Sequence, residues 1–306
     1  MTPLRLLVLL ACSAISITPA LAQDGARSPG DTVAPPTQVS DPFGIVVPAL
    51  RAAASAMMDP GSRPSEVPRL NAWLQQFGWG TSHSIGDAAD NGIRGWGATG
   101  GIELAAGRAD YVGVSAGFFR SDDAAAGPAR EKVRLIEGAV HWRRDWGSLA
   151  SVLRLSAGAL TAKDDAATRK NVLLSAAGGV QREIVIGRRL RLTPAVVADY
   201  YRLTGGSDAR RDQSAVTGTI AFGYELGSMA RDAAWLRVDL EGGRREIVFD
   251  HFGAGTGALA AQHGGGLLRL RLSGGREAFS LVGEASAEER REGTGIGLRL
   301  ASRLSW

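Results

Sequence analysis

Residues 294–306 read TGIGLRLASRLSW, and residues 265–273 read GGLLRLRLS. Apolar and polar residues alternate in both segments, so that leucines two positions apart fall on the same side of an extended chain. Arg269 and Arg271 fall on the other side, whereas a helix would place them about 200° apart and mix both faces. The pattern therefore predicts β-strands that have one apolar and one polar face.

The same alternation recurs from residue 69 to the end of the chain. A spacing of about 20 residues leaves room for one strand and one connection, because a membrane-crossing strand needs about 9–11 residues. The sequence therefore predicts an all-β fold, a 12-stranded antiparallel transmembrane up-and-down β-barrel. The twelve predicted strands are 70–79, 94–104, 109–120, 131–143, 148–160, 168–182, 189–203, 213–226, 233–246, 265–273, 276–287 and 294–306.

The lengths of the predicted connections alternate along the chain. Outer-membrane barrels have long extracellular loops and short periplasmic turns, so both termini are expected on the periplasmic side. The exception is 288–293, which is short for an outward loop. The long connections are 80–93, 121–130, 161–167, 204–212 and 247–264, the short ones are 105–108, 144–147 and 274–275, and 183–188 and 227–232 are intermediate.

The chain before the barrel divides into a leader and a linker. Residues 1–22 have a positive start, an apolar middle and an Ala-Leu-Ala cleavage site, which predicts a signal peptide. Residues 23–68 are predicted to be a disordered linker, rich in Pro, Ser, Gly and Asp at its start. Within the linker, the alanines and methionines of about 45–58 favour a short helix. The barrel domain is predicted to span 69–306.

Composition excludes several classes of protein. No apolar stretch of about 20 residues follows the leader, so a helical membrane protein is not expected. The 35 basic residues are spread along the chain instead of forming one patch, so nucleic-acid binding is not expected. The one cysteine, Cys12, lies in the leader. We predict no cofactor.

Charged residues on the polar faces are the candidate functional set. Alternation places Arg237, Asp239 and Glu241 opposite Arg269 and Arg271, and places Glu284 and Ser286 beside Arg299 or Arg303. The interpretation favoured here is a water-filled lumen whose charges neutralise one another. The alternative is a pore that selects anions or holds the helix. The predicted lumen-lining charges are Arg237, Asp239, Glu241, Arg269, Arg271, Glu284, Arg299 and Arg303.

Two patterns could indicate an enzyme, and neither is convincing. Residues 113–117 fit the G-x-S-x-G pattern of hydrolases, which needs a sharp turn between a strand and a helix. Here the alternation of a strand continues through Ser115. His83 lies between two serines in the first long connection, as in a polar loop. We predict no catalytic residue, no metal site and no enzymatic activity.

The seven tryptophans fall near predicted strand ends or turns, where aromatic girdles of membrane barrels lie.

Three segments are similar to autotransporter translocator domains. Residues 73–80 (WLQQFGWG) and 95–122 (GWGATGGIELAAGRADYVGVSAGFFRSD) resemble the first hairpins of that family, and 190–203 (LRLTPAVVADYYRL) resembles its central strand. The family's last strand ends in a pattern read by the barrel-assembly machinery. Here Leu304 and Trp306 match it, although Ala301 stands where the family has glycine. The resemblance covers about 69–306.

The resemblance implies secretion of the type V class. In that family a twelve-stranded barrel lets an upstream passenger cross the outer membrane, and a helix before the first strand lies in the pore. Residues 45–58 match the place of that helix. Only about 46 residues separate the leader from the barrel, too few for a usual passenger. Either this segment is the passenger or the barrel serves another purpose.

The sequence therefore predicts a non-enzymatic barrel in the bacterial outer membrane with little or no passenger. Its expected partners are outer-membrane lipid and the barrel-assembly machinery, and a monomer is expected. A porin-like channel is the first alternative, an outer-membrane hydrolase the second, and a soluble periplasmic β-protein the structural fallback.

Overall fold

The computed structural model describes residues 70–82, 93–123, 132–163, 168–205, 211–229, 234–250, 264–276, 278–290 and 293–306. In these ranges the chain forms strands joined by turns. The strands are β1 Leu70–Ser82, β2 Ile93–Ala105, β3 Asp110–Asp123, β4 Lys132–Trp146, β5 Leu149–Lys163, β6 Thr168–Arg182, β7 Ile184–Ile186, β8 Leu190–Thr204, β9 Arg211–Met229, β10 Ala234–Asp250, β11 Gly266–Arg276, β12 Phe279–Arg290 and β13 Gly293–Ser305. The described residues contain no helix long and apolar enough to span a membrane.

The sheet closes on itself. Except for β6 and β7, which both pair with β8, each strand pairs antiparallel with the next along the chain. The last strand, β13, pairs with β1 from Asn71↔Ser305 to Ser82↔Thr294. The backbones of Leu70 and Trp306 add two hydrogen bonds of 3.0 Å at the end of this seam. Closure leaves no strand edge of the described barrel unpaired, as a lipid environment requires.

β6 and β7 are two parts of one barrel strand. Both pair with β8 in a single register, which runs from Val172↔Thr204 to Gln181↔Ala195 and resumes at Ile184↔Leu192. The gap lies opposite Pro194, which has no N–H to donate to the ladder. The thirteen strands therefore make a twelve-stranded barrel, and the predicted fold class is confirmed.

All twelve predicted strands are present, but several run further than predicted. β5 continues to Lys163, because Lys163 still pairs with Thr168 of β6, and the predicted long connection 161–167 shrinks to 164–167. The sixth barrel strand continues to Ile186, which reduces the predicted turn 183–188 to 187–189. Gly187 has a φ of 68°, a conformation that glycine adopts at little cost.

The connections are short at one end of the barrel, as predicted, but not all of them are long at the other end. At the end that carries both described termini they are 106–109, 147–148, 187–189, 230–233 and 277–278. At the opposite end, 83–92, 124–131 and 251–265 are long, 205–210 is intermediate, and 164–167 and 291–292 are short. We call these the turn end and the loop end of the barrel.

Apolar side chains face outward along the wall. In β4, the buried residues Leu135, Glu137 and Ala139 alternate with the exposed Ile136 and Val140. Leu268, Leu270 and Leu272 of β11 are likewise exposed, whereas Arg269 and Arg271 point the other way. An apolar exterior around a polar interior is the arrangement of a transmembrane barrel.

The tryptophans do not all face lipid. Trp96, Trp146 and Trp306 are exposed on the outer face, but Trp73 and Trp79 of β1 point inward. Alternation along β1 puts them on the same side as the buried Asn71 and Gln75. The girdle prediction is therefore wrong for these two residues.

Candidate functional site: the barrel lumen

A chain of ion pairs crosses the inner wall from β10 to β13. Register places Asp239 opposite Arg271, Glu241 opposite Arg269 and Glu284 opposite Arg299, as alternation suggests. Arg269 lies 3.0 Å and Arg271 3.4 Å from Glu241. Glu284 then accepts from Arg271 at 3.1 Å and from Arg299 at 3.0 Å.

The network reaches β1 across the seam. Arg299 Nη1 donates to Gln75 Oε1 at 3.4 Å, and both side chains are buried. Ser286 does not join this network, because it lies opposite Gly297 and its Oγ donates to the Gly297 carbonyl at 3.5 Å. The inner wall from β10 to β1 is therefore polar and held by alternating charges.

A second cluster lies at the turn end, on β8–β10 and on Glu183 between β6 and β7. Arg191 contacts Glu183 and lies 2.6 Å from Glu225. Arg237 lies 2.9 Å from Asp239 and 3.5 Å from Glu183. The sequence did not indicate Glu183, because this residue fell in a predicted turn. In the structure the alternation of β6 continues as far as Glu183, so that its side chain points inward.

A third cluster is centred on Glu103 of β2. Its Oε2 accepts from Arg303 Nη2 at 2.6 Å and from Arg143 Nη2 at 3.3 Å. His141 Nε2 lies 3.2 Å from Glu103 Oε1 but is not aligned for a regular hydrogen bond. Arg303 therefore bridges over β1 to Glu103 instead of pairing with Glu284, which takes Arg299. The sequence placed Glu284 beside Arg299 or Arg303, and the structure brings it to Arg299.

Two buried ion pairs were not foreseen. Arg245 of β10 holds both oxygens of Asp199 on β8, at 2.7 and 2.8 Å, across the intervening β9. Arg154 pairs with Glu137 on the adjacent strand. Pairs that skip a strand depend on stagger, which the sequence pattern does not give.

Another part of the inner wall is apolar, which the sequence analysis did not predict. Near the loop end of β1, β3–β6 and β8, large side chains form a buried cluster on the lumen side. We call it the inner apolar cluster, and its members are Phe77, Trp79, Phe119, Val133, Leu135, Leu160, Ala162, Leu173, Tyr201 and Leu203. The sequence does contain a signal for this cluster, because segments such as 133–136 have apolar residues on both faces. Val133 and Leu135 are apolar at positions where alternation would place a lumen-facing polar residue.

The glycines of β2 make room for this cluster. Phe77 lies opposite Gly97 and Trp79 opposite Gly95 in the β1–β2 ladder. A Cβ atom on Gly97 would lie 2.6 Å from Phe119 Cδ1, which is too close. The Gly-x-Gly pattern of this strand therefore has a packing cause.

The last strand presents its apolar residues outward. Trp306 is 61% exposed on the outer face, and Leu304 pairs with Ala72 and Phe279. The role of Leu304 and Trp306 in assembly stays a prediction.

The candidate hydrolase residues do not form a common site in the described chain. Ser115 lies in the middle of β3, opposite Gly101 and Ala139, where the strand runs straight through the G-x-S-x-G pattern. His83 lies outside the described residues, as do the predicted signal peptide and the helix 45–58.

Solved structures of autotransporter translocator domains share this architecture. The β-domain of the Bordetella autotransporter BrkA matches with a TM-score of 0.62 at 14% identity, covering 78% of this chain and all of that one. The fold is that of an autotransporter translocator domain. The transport unit of AIDA-I from Escherichia coli (TM-score 0.60, 12% identity, 88% of this chain, 100% of that one) and the NalP translocator domain from Neisseria meningitidis (0.59, 12%, 87% and 96%) agree.

No family model and no curated protein sequence matches the chain. At these low identities the likeness is one of fold. The expected outer-membrane location agrees with this fold and with the apolar outer face described above.

Proposed function

We propose that the chain is a non-enzymatic outer-membrane barrel of the translocator type whose lumen is occupied by its own segment before β1. The closed apolar exterior suits the membrane. Both described termini, Leu70 and Trp306, lie at the turn end, so the segment before Leu70 starts at the mouth of the lumen.

The inner apolar cluster carries this proposal. Leu135 is 0% and Phe119 1% exposed, although both point toward the lumen. A water-filled channel would leave such side chains in contact with water, at a cost of about 1.5–3 kcal/mol each. Residues 45–58, IVVPALRAAASAMM, supply an apolar partner of suitable composition.

The inner charges favour an occupied lumen over an ion-selective pore. Glu241 and Glu284 each contact two arginines, and Glu103 contacts two arginines and a histidine. Within the described strands, charges compensated in this way form no ring of one sign, which selective pores use.

Assembly of the barrel would use its last strand. We propose that the outward apolar row ending in Leu304 and Trp306 is read by the barrel-assembly machinery, after which β13 pairs with β1. The barrel would then stand as a monomer in lipid.

Cysteine cross-linking tests the occupied lumen. Cys12 is the one natural cysteine and lies in the predicted leader, so introduced cysteines are unique in the mature chain. Ala53→Cys combined with Leu135→Cys should form a disulfide in the assembled barrel. Ala53→Cys combined with Ile136→Cys, which faces outward, is the matched control and should not cross-link.

Display of the linker is tested by a membrane-impermeant maleimide on intact cells. Labelling of Ser28→Cys would mean that the linker is exported. Thr256→Cys in the loop-end connection is the positive control, and Ser148→Cys at the turn end is the negative control. Labelling only after the cells are opened would mean a plugged barrel without a displayed passenger. If 53 and 135 do not cross-link and the pure protein conducts ions in planar bilayers, the channel alternative replaces the proposal.

A further inference from the structure

The three lysines of the chain lie together on the outside of the barrel. Lys132, Lys163 and Lys170 are the only lysines among 306 residues. They occupy exposed outward positions at the loop end of β4, β5 and β6. Lys132 lies directly opposite Lys163, and Lys170 lies opposite Thr161 in the next rung.

One arginine completes this group. Arg134 of β4 points outward beside Thr161. We define the basic patch as Lys132, Arg134, Lys163 and Lys170. It contains a cross-strand pair of like charge, Lys132↔Lys163. Like charges directly opposite each other destabilise a sheet, so an anion bound between them would relieve this cost.

The patch is less compensated than other outward charges at this end. On β10 the outward-facing Arg244 pairs with Glu246 in its own strand. Lys132 lies opposite Asp122 of β3 as well as opposite Lys163. Within the ranges that the structure describes, Arg134, Lys163 and Lys170 form no ion pair with a carboxylate. The positive charge of these three residues is therefore available to a ligand.

An apolar surface lies directly below the patch. One rung toward the middle of the wall, Phe118, Ile136, Ala159 and Val172 lie side by side on β3–β6. The next rung holds the small residues Ala116, Gly138 and Ala157 beside Leu174. Bulky residues above small ones leave a shallow depression, suited to lie against hydrocarbon chains.

We propose that the basic patch binds the phosphates of a phosphorylated glycolipid of the outer leaflet, whose acyl chains lie on the apolar rungs below. Ammonium and guanidinium groups form charge-assisted hydrogen bonds with phosphate oxygens. The order of cations above an apolar band matches a lipid with a phosphorylated head at the membrane surface. The proposal rests on the outer-membrane placement above, with the turn end in the periplasm and the loop end outside.

Native mass spectrometry of the full-length protein tests the assignment. The probes are a bisphosphorylated lipid A and the same lipid after enzymatic removal of both phosphates. We expect the triple variant K132Q/K163Q/K170Q to bind the phosphorylated lipid about a hundredfold more weakly than the native chain. R244Q, an outward-facing change at the same end on β10, is the matched control and should bind as the native chain does.

Three results would each overturn the proposal. Unchanged binding by the triple variant would remove the lysines from the site. Equal binding of the dephosphorylated lipid would reduce the contact to its acyl chains. Equally strong binding of inorganic pyrophosphate would assign the patch to a soluble anion instead of a lipid.

Lysine labelling gives a second readout that needs no variant. Because the chain has only three lysines, an amine-reactive reagent on the native barrel reports on the basic patch and the N-terminal amine alone. Added lipid A should protect all three lysines, and unchanged labelling would contradict the proposal. Heat-modifiable gel mobility of each sample separates the two hypotheses: a folded barrel that binds no lipid refutes this inference alone, and a missing barrel refutes the proposed function.

Discussion

At the scale of the residue, Asp199 and Arg245 form an enclosed ion pair of the lumen, since both side chains are 3% exposed. We expect Arg245→Met to destabilise the barrel by about 3–5 kcal/mol, because it leaves a buried carboxylate without its partner. Urea titration of the barrel in lipid vesicles measures this change. Arg245→Met with Asp199→Leu should recover most of the loss.

The neighbouring residue provides the control. Arg244 is 72% exposed and pairs with Glu246, which is 60% exposed, so Arg244→Met should change stability by about 1 kcal/mol or less. Equal effects of the changes at 244 and 245 would contradict the burial of the inner pair.

A second residue-scale prediction concerns Gly95. A Cβ atom at this position would overlap the indole ring of Trp79. Gly95→Ala should therefore destabilise the barrel by about 1–3 kcal/mol through overpacking. Gly138→Ala, where a Cβ atom meets nothing within 4 Å, should stay within about 0.5 kcal/mol in the same titration. A neutral Gly95→Ala would show that Trp79 does not fill the space as described.

The sequence predicts which face of the barrel wall a residue lies on better than it predicts which residue it contacts. Alternation assigned Arg269, Arg271 and Glu284 to the inner face, and adjacent-strand pairing then gave their contacts. The Arg303–Glu103 and Arg245–Asp199 pairs each skip a strand. Their geometry depends on the tilt and stagger of the closed barrel, which only the three-dimensional structure supplies.

At the scale of the element, the interruption between β6 and β7 has a chemical cause. The Arg189 carbonyl bonds to Glu225 of β9, so alternate residues of β8, Pro194 among them, direct their backbone toward β6 and β7. Without an N–H, Pro194 cannot donate to the strand beside it. The ladder therefore lacks one bond where the two segments meet.

Pro194→Ala should restore that bond. The new amide at position 194 is expected to exchange slowly with solvent deuterium, and stability should rise by about 0.5–1.5 kcal/mol. Hydrogen exchange followed by mass spectrometry of the β8 peptide measures the protection. Fast exchange at 194 would mean that the gap has another origin.

Strand positions were predictable because each has an outward apolar row, but strand ends were not. β5 and the sixth barrel strand extend as far as their neighbours offer hydrogen bonds, to Lys163 and Ile186. Pairing, and not local composition, therefore fixes the length of a strand.

At the scale of the whole molecule, the sequence predicted twelve strands, closure and the direction of both faces. The prediction of a long connection failed at 164–167, whereas the last connection, 291–292, is short as its sequence indicated. Closure of the barrel requires neither connection to be long. The inner apolar cluster was not predicted, because a water-filled lumen was expected. The segments that contain its residues were therefore interpreted only as strands with apolar residues on both faces.

The most direct test of the account is the gel mobility of the protein in outer-membrane fractions, compared with and without boiling. A closed barrel resists detergent until it is heated, so the account predicts a fast-migrating band in unboiled samples that disappears on boiling. A single band of unchanged mobility, with the protein in the soluble periplasm, would contradict the transmembrane barrel.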